Sequence, residues 1–124
     1  MNIPDDLYYT KNHEWLKIDN GIATIGITDY AQSELGDIIF IEFPEIGTNY
    51  EAGDTIGTIE AVKTVADFYS PIAGRIAKIN NQLEDNPYSI NSEPYDAGWI
   101  IKLDSFGENR SALLSAKEYE KLMR

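Results

Sequence analysis

One primary amine stands apart in this chain. Lys63 sits in the run Glu60-Ala-Val-Lys63-Thr-Val-Ala-Asp67, with apolar, β-prone stretches close on either side. Strands so near one another place the amine at the tip of a tight hairpin, far from any core. An amine displayed there is either ordinary solvated decoration or an anchor for a covalently attached group. Anchoring needs an activated acyl donor and an enzyme. Once the amide forms, the charge is lost and the side chain becomes a long tether, which raises the effective concentration of its end group at a docked partner. The turn residues Val62-Lys63-Thr64-Val65 include no Gly, Asn or Asp. β-Branched Thr64 resists the positive φ of two-residue hairpin turns, so a wider or type I turn is expected.

Other chemistry is scarce. The chain has no cysteine and a single histidine, His13. Thiol nucleophiles, disulfides, zinc-cysteine sites and histidine-rich metal sites are therefore excluded. A Ser-His-Asp arrangement would need His13, and no nucleophile elbow lies near it. No Gly-x-Gly-x-x-Gly or P-loop occurs. Carboxylates are abundant, but their pairing cannot be read from spacing. The expectation is a chain that is not an enzyme on its own.

The charge balance narrows the partners. Twenty-one acidic residues against ten basic ones give a net charge of −11. Such a surface repels phosphate backbones and anionic lipid, so neither nucleic acid nor membrane is an expected partner. It suits docking onto basic protein surfaces. The start, Met1-Asn-Ile-Pro-Asp-Asp, lacks the pattern of a signal or transit peptide, and no apolar run approaches membrane-spanning length. A cytoplasmic location is expected, with the chain a monomer. Its 124 residues, 43% of them hydrophobic, fit one domain spanning 1–124 with a real core.

Short strands separated by turn signals must position the lysine. His13 to Asp19 and Ile22 to Ile27 read as a hairpin around Asn20-Gly21. Thr28 to Leu35 reads as a short helix, with Asp29 and Gln32 as a capping box and Gly36 at its end. The apolar run Asp37 to Phe43 predicts a buried central strand. Thr55 to Val62 and Val65 to Tyr69 form the lysine hairpin, and a further strand follows Gly74 through Ile79. Asn80 to Asn86 suggests a helical turn, 87–98 an irregular connection, and Trp99 to Leu103 the last strand. Ser115 and Glu118 make a second capping box, placing Tyr119, Leu122 and Met123 on one face of a C-terminal helix near 115–123. Pro44-Glu-Ile-Gly47 and Pro71-Ile-Ala-Gly74 share a turn pattern that hints at two similar halves. The pattern is mostly β, a sandwich or flattened barrel with few helices.

Several segments in order carry a resemblance. They are His13-Glu14-Trp15, the run Ala23 to Gln32, Leu35-Gly36-Asp37, Leu83 to Pro87, Pro94-Tyr95, Gly98-Trp99 and Leu113 to Leu122. With Glu60-Ala-Val-Lys63, Ser70-Pro71 and Gly74, the chain resembles the H proteins of the glycine cleavage system, which are lipoyl carriers. The resemblance implies a flattened barrel-sandwich hybrid of two antiparallel sheets, lipoyl/biotinyl-like, with lipoate in amide linkage to Lys63. It implies that Glu60 and Gly74 are read by a lipoate ligase or lipoyl transferase.

It also implies three partners. A pyridoxal-phosphate glycine decarboxylase (P protein) supplies an aminomethyl group, and a tetrahydrofolate-dependent aminomethyltransferase (T protein) receives it. Dihydrolipoyl dehydrogenase (L protein) reoxidises the arm. Glu14 and Asp67 match carboxylates of a cleft that shelters the loaded arm. Asn12 stands where relatives often have Ser, and Glu34 where some have His. Ala61 and Thr64 replace the common Ser and Ala beside the lysine. Four rivals share some of these features. A biotinyl domain usually flanks its lysine with methionines, whereas Val62 and Thr64 flank Lys63. Lipoyl domains of 2-oxoacid dehydrogenases are usually shorter and lack the His13-Glu14-Trp15 start. The others are an H-like protein that only donates lipoate or binds partners, and a hydrolase using Glu14 and Asp67.

Overall fold

The computed structural model describes residues 1–123. Two antiparallel sheets face one another. The larger has six strands in the order β1 (Tyr8–Tyr9), β2 (Glu14–Asp19), β3 (Ile22–Ile27), β9 (Ile101–Phe106), β8 (Gly74–Ile79) and β5 (Asn49–Tyr50). The smaller has three, β4 (Ile38–Glu42), β6 (Thr55–Ala61) and β7 (Val65–Tyr69). The sheets do not close on each other, which makes the flattened sandwich that the resemblance implied.

Isoleucine dominates the space between the sheets. Ile25, Ile41, Ile56, Ile59, Ile76 and Ile101 are all buried there, with Leu16, Phe68 and Leu103. β-Branched side chains fit the pleated surface, and each fully buried one contributes roughly 1.5–3 kcal/mol. A second cluster joins Leu7, Tyr9, Trp15, Ala116 and Tyr119 beneath helix α4 (Ala116–Leu122). There Tyr9 and Tyr119 stack at 4.8 Å between centroids. Trp15 lies opposite Gly26 across β2 and β3, where an added Cβ would sit 2.7 Å from the indole nitrogen. The Trp15 Nε1–H donates to the Pro94 carbonyl at 2.9 Å.

Several local expectations hold. Asn20 (φ 51°) and Gly21 (φ 75°) both take the left-handed conformation the Asn-Gly turn requires. Ser115 and Glu118 form the reciprocal capping box of α4. The lysine hairpin and the strand from Gly74 to Ile79 lie where expected.

Others need correction. The apolar run after Asp37 is not a buried central strand. β4 is the edge of the smaller sheet, and β6 is its centre. A register irregularity between Ile38 and Phe40 turns Ile39 and Phe40 outward, 49% and 55% exposed. His13 precedes its strand, because φ 66° and a bond from its N–H to the Thr10 carbonyl make it a turn residue. Helix α1 (Asp29–Leu35) is capped by Thr28, whose hydroxyl accepts from the Ala31 N–H; the Asp29–Gln32 bond runs side chain to side chain. The 87–98 connection contains a helical turn, α3 (Ser89–Ser92), following α2 (Gln82–Asp85). The last strand starts two residues later than Trp99 and runs to Phe106. On α4, Tyr119 is buried but Leu122 is 47% exposed. The two-residue strands β1 and β5 were not anticipated. Among the described residues no helix is long and apolar enough to cross a membrane.

Candidate functional site

Strands β6 and β7 pair Thr58 with Asp67, Ile59 with Ala66 and Glu60 with Val65. The hairpin closes where the Ala61 N–H donates to the Thr64 carbonyl at 2.8 Å. None of Val62, Lys63 and Thr64 has positive φ, so the turn is not of the primed kind and needs no glycine. A further bond, from the Val62 N–H to the Asp37 carbonyl at 3.0 Å, ties the tip to the start of β4. The backbone under Lys63 is thus fixed on two sides. The side chain is exposed and makes no hydrogen bond, ion pair or ring contact among the described residues.

Below the tip lies a cleft of ≈ 190 Å³ between the hairpin and helix α1. Ile59, Ala66 and Asp67 line one side, and Tyr30, Ala31 and Glu34 the other; His13 and Glu14 stand at its end. Lys63 is three residues before Ala66, which lines the cleft. The walls are mostly apolar and the ionisable groups are mostly acids.

Glu14 is the unusual group. It is 2% exposed, yet it faces this cleft. Burial pushes its pKa up to about 7, although a hydrogen bond from the Thr10 hydroxyl (2.6 Å) and the Tyr69 backbone partly offset the rise. Asp67 is exposed on the opposite wall. His13 is half-buried, and burial holds its pKa below the ordinary value against the opposing pull of Glu34. Its Nδ1 lies 2.8 Å from the Tyr119 hydroxyl, which in turn lies 2.7 Å from the Thr28 hydroxyl. The His13 ring packs on Tyr30 at 4.8 Å. Helix α4 therefore braces both ends of the cleft wall, the turn at His13 and the cap of α1.

Glu14 and Asp67 line one cleft, and Asn12 and Glu34 also line it. Glu60 is on the hairpin, half-buried on the outer face of the smaller sheet. Gly74 is elsewhere. It pairs with Tyr50 and Phe106 in the larger sheet, where an added Cβ would meet Leu103 Cδ1 at 2.8 Å and the Ser105 carbonyl at 3.0 Å. Close packing accounts for that glycine. Sequence reasoning missed His13 and Tyr30 as walls. Their aromatic character was visible, but a turn at positive φ was not.

The family model described as Glycine cleavage H-protein matches residues 7–124. A Glycine cleavage system H protein of Listeria monocytogenes serotype 4a (strain HCC23) is 54% identical over 124 residues, covering 99% of each chain. That of Listeria welshimeri serovar 6b is 55% identical over 122 residues, covering 98% of each. The crystal structure of a glycine cleavage system H protein from Mycobacterium marinum matches with a TM-score of 0.87 at 38% identity, covering 96% of this chain and 97% of that one. A match of this extent in both sequence and fold places the chain in the glycine cleavage H-protein family.

Proposed function

We propose that this chain is the lipoyl carrier of a glycine cleavage system, with lipoate in amide linkage to Lys63. The observation that carries the reading is the exposed, unpaired Lys63 amine on a braced hairpin tip whose strands line a cleft shared with Glu14 and Asp67. When bound, lipoate supplies a disulfide that accepts the aminomethyl group of decarboxylated glycine and can be reoxidised afterwards. The residues of this chain do the rest without catalysing a bond change. The hairpin holds the tether clear of the surface. The Glu14 and Asp67 carboxylates favour a protonated amine in the cleft, and Ile27, Leu35 and Ile59 limit the access of water to it.

The partners that follow are a glycine decarboxylase, a tetrahydrofolate-dependent aminomethyltransferase, dihydrolipoyl dehydrogenase and an enzyme that attaches lipoate. The test is glycine–bicarbonate exchange with the decarboxylase of a Listeria relative. The lipoylated chain is expected to support exchange and Lys63→Arg to support none. Lipoylation without exchange would favour a protein that only stores or donates lipoate. Glu14→Gln is expected to shorten the lifetime of the aminomethyl-loaded form; an unchanged hydrolysis rate would rule out a protective role for that carboxylate.

A further inference from the structure

Thr10 is a polar residue that is buried, and it does not line the cleft itself. Its hydroxyl is fully committed. The oxygen accepts the Asn12 N–H and the Glu14 N–H, each at 3.2 Å. The hydrogen is left for Glu14 Oε1, 2.6 Å away. A hydroxyl has one hydrogen and two acceptor sites. Both acceptor sites are taken, so Thr10 can only donate to the carboxyl, and Oε1 has to accept. The backbone tightens the same turn: the Thr10 N–H donates to the Glu14 carbonyl and the His13 N–H to the Thr10 carbonyl, each at 3.1 Å. One side chain thus organises the turn Asn12-His13-Glu14, and all three of those residues line the cleft.

Behind Glu14 lies a second cavity of ≈ 210 Å³, lined by Thr10, Lys11, Asn12, Glu14, Ser70 and Ala112 among others. Glu14 lines both cavities, whereas Thr10 lines only the second. The carboxyl is therefore a partition, and Thr10 grips it from the far side. His13, Tyr30, Glu34 and Asp67 face Glu14 in the cleft, Lys11 faces it in the second cavity, and Tyr119 of α4 is close enough to feel its charge. Lys11 is exposed and makes no ion pair among the described residues. What favours the ionised form of Glu14 is hydrogen bonding, first from Thr10 and then from the Tyr69 backbone. A carboxylate offers about four lone-pair positions, so two bonds leave capacity for a cation.

We propose that Thr10 is a positioning residue for the cleft: its hydroxyl fixes Glu14 at the partition between the two cavities and favours its charge, so that a protonated primary amine on the arm meets a carboxylate. This rests on the carrier reading, in which lipoate on Lys63 brings that amine. A donor to the carboxylate stabilises the ionised form, so losing the donor makes Glu14 a weaker acid. The cleft would then present a neutral acid at pH values where the parent presents a charge.

Two measurements test this. The first follows the Glu14 carboxyl of the chain without lipoate by carbon-13 NMR as pH is varied. The parent is expected to titrate at about pH 7. Thr10→Val keeps the shape and removes the hydroxyl, and should raise the midpoint by about one pH unit or more, as for a lost bond to a charged group. Thr10→Ser restores the donor and should return the midpoint to the parent value. Val also strands two N–H groups; Thr10→Cys, whose thiol is a weak donor, should shift the midpoint in the same direction and serves if Thr10→Val does not fold. The second measurement loads the lipoylated chain with glycine and the decarboxylase of a Listeria relative, then follows hydrolysis of the loaded arm across pH. Thr10→Val should hydrolyse several-fold faster at about pH 7.5, and Thr10→Ser at the parent rate. In a Glu14→Gln background, Thr10→Val should add little. A merely structural role would lower the melting temperature and leave the Glu14 midpoint in place. An unmoved midpoint in folded Thr10→Val or Thr10→Cys, or Thr10→Ser titrating like Thr10→Val, would overturn the role of Thr10 and leave the carrier reading standing. A parent chain that takes up no aminomethyl group would overturn both.

Discussion

Glu14→Gln isolates the energetic oddity of the cleft. Burial lifts the Glu14 pKa from 4.5 to about 7. An acid whose pKa is raised in the folded state binds its proton more tightly there, so its contribution to stability is complete below pH 4.5. It is lost as pH climbs through 7. At about 1.4 kcal/mol per pH unit, the ionised carboxylate costs the fold about 3 kcal/mol at pH 8. Gln is nearly isosteric, keeps one oxygen to accept from Thr10 at some loss of the Tyr69 backbone bond, and carries no charge to desolvate. The variant should therefore melt higher than the parent at pH 8, by roughly 10 °C for a chain of this size. The gap should narrow steadily towards pH 5. The assay is thermal unfolding by circular dichroism from pH 5 to 8, with the difference between the two proteins cancelling every other titration. A variant that melts at or below the parent temperature across that range would show that Glu14 is comfortable when ionised, and the argument that the cleft holds a strained acid would fail.

Three further outcomes follow. Lys63→Arg should leave the melting temperature within about 1 °C, since the side chain makes no contact; a larger drop would mean that the amine has a structural role. Tyr119→Phe removes the hydroxyl shared by His13 and Thr28 and should cost about 1–2 kcal/mol. Its His13 should also titrate differently by NMR, and unchanged stability and titration would refute the brace. Gly57→Ala drives a Cβ into the Glu42 carbonyl across β4 and β6 and should cost several times the roughly 1 kcal/mol of an average point mutation; native-like melting would contradict that packing.

What the sequence made legible was local or periodic. Asn20-Gly21, the Ser115–Glu118 box and the paired strands around Lys63 each follow from rules acting over a few residues. The cleft did not follow from such rules. Glu14 and Asp67 are 53 positions apart in sequence, one at the start of β2 in the larger sheet and one on β7 in the smaller, and only the tertiary fold brings them to one cleft; resemblance to a family suggested their partnership where spacing could not. β4 misled for a related reason. An almost wholly apolar run predicts burial on both faces, but an irregularity at Ile38–Phe40 turned two of its side chains to solvent. Gly74 shows the reverse. The resemblance implied a recognition position, and tight packing against Leu103 also accounts for it.

Peptide mapping by mass spectrometry, after co-expression with lipoate ligase and with both lipoate and biotin supplied, is the most direct test of the carrier reading. One lipoyl group is expected on the peptide containing Lys63, none on any other lysine, and none in Lys63→Arg. An unmodified Lys63, biotin in place of lipoate, or lipoate on a different residue would contradict it.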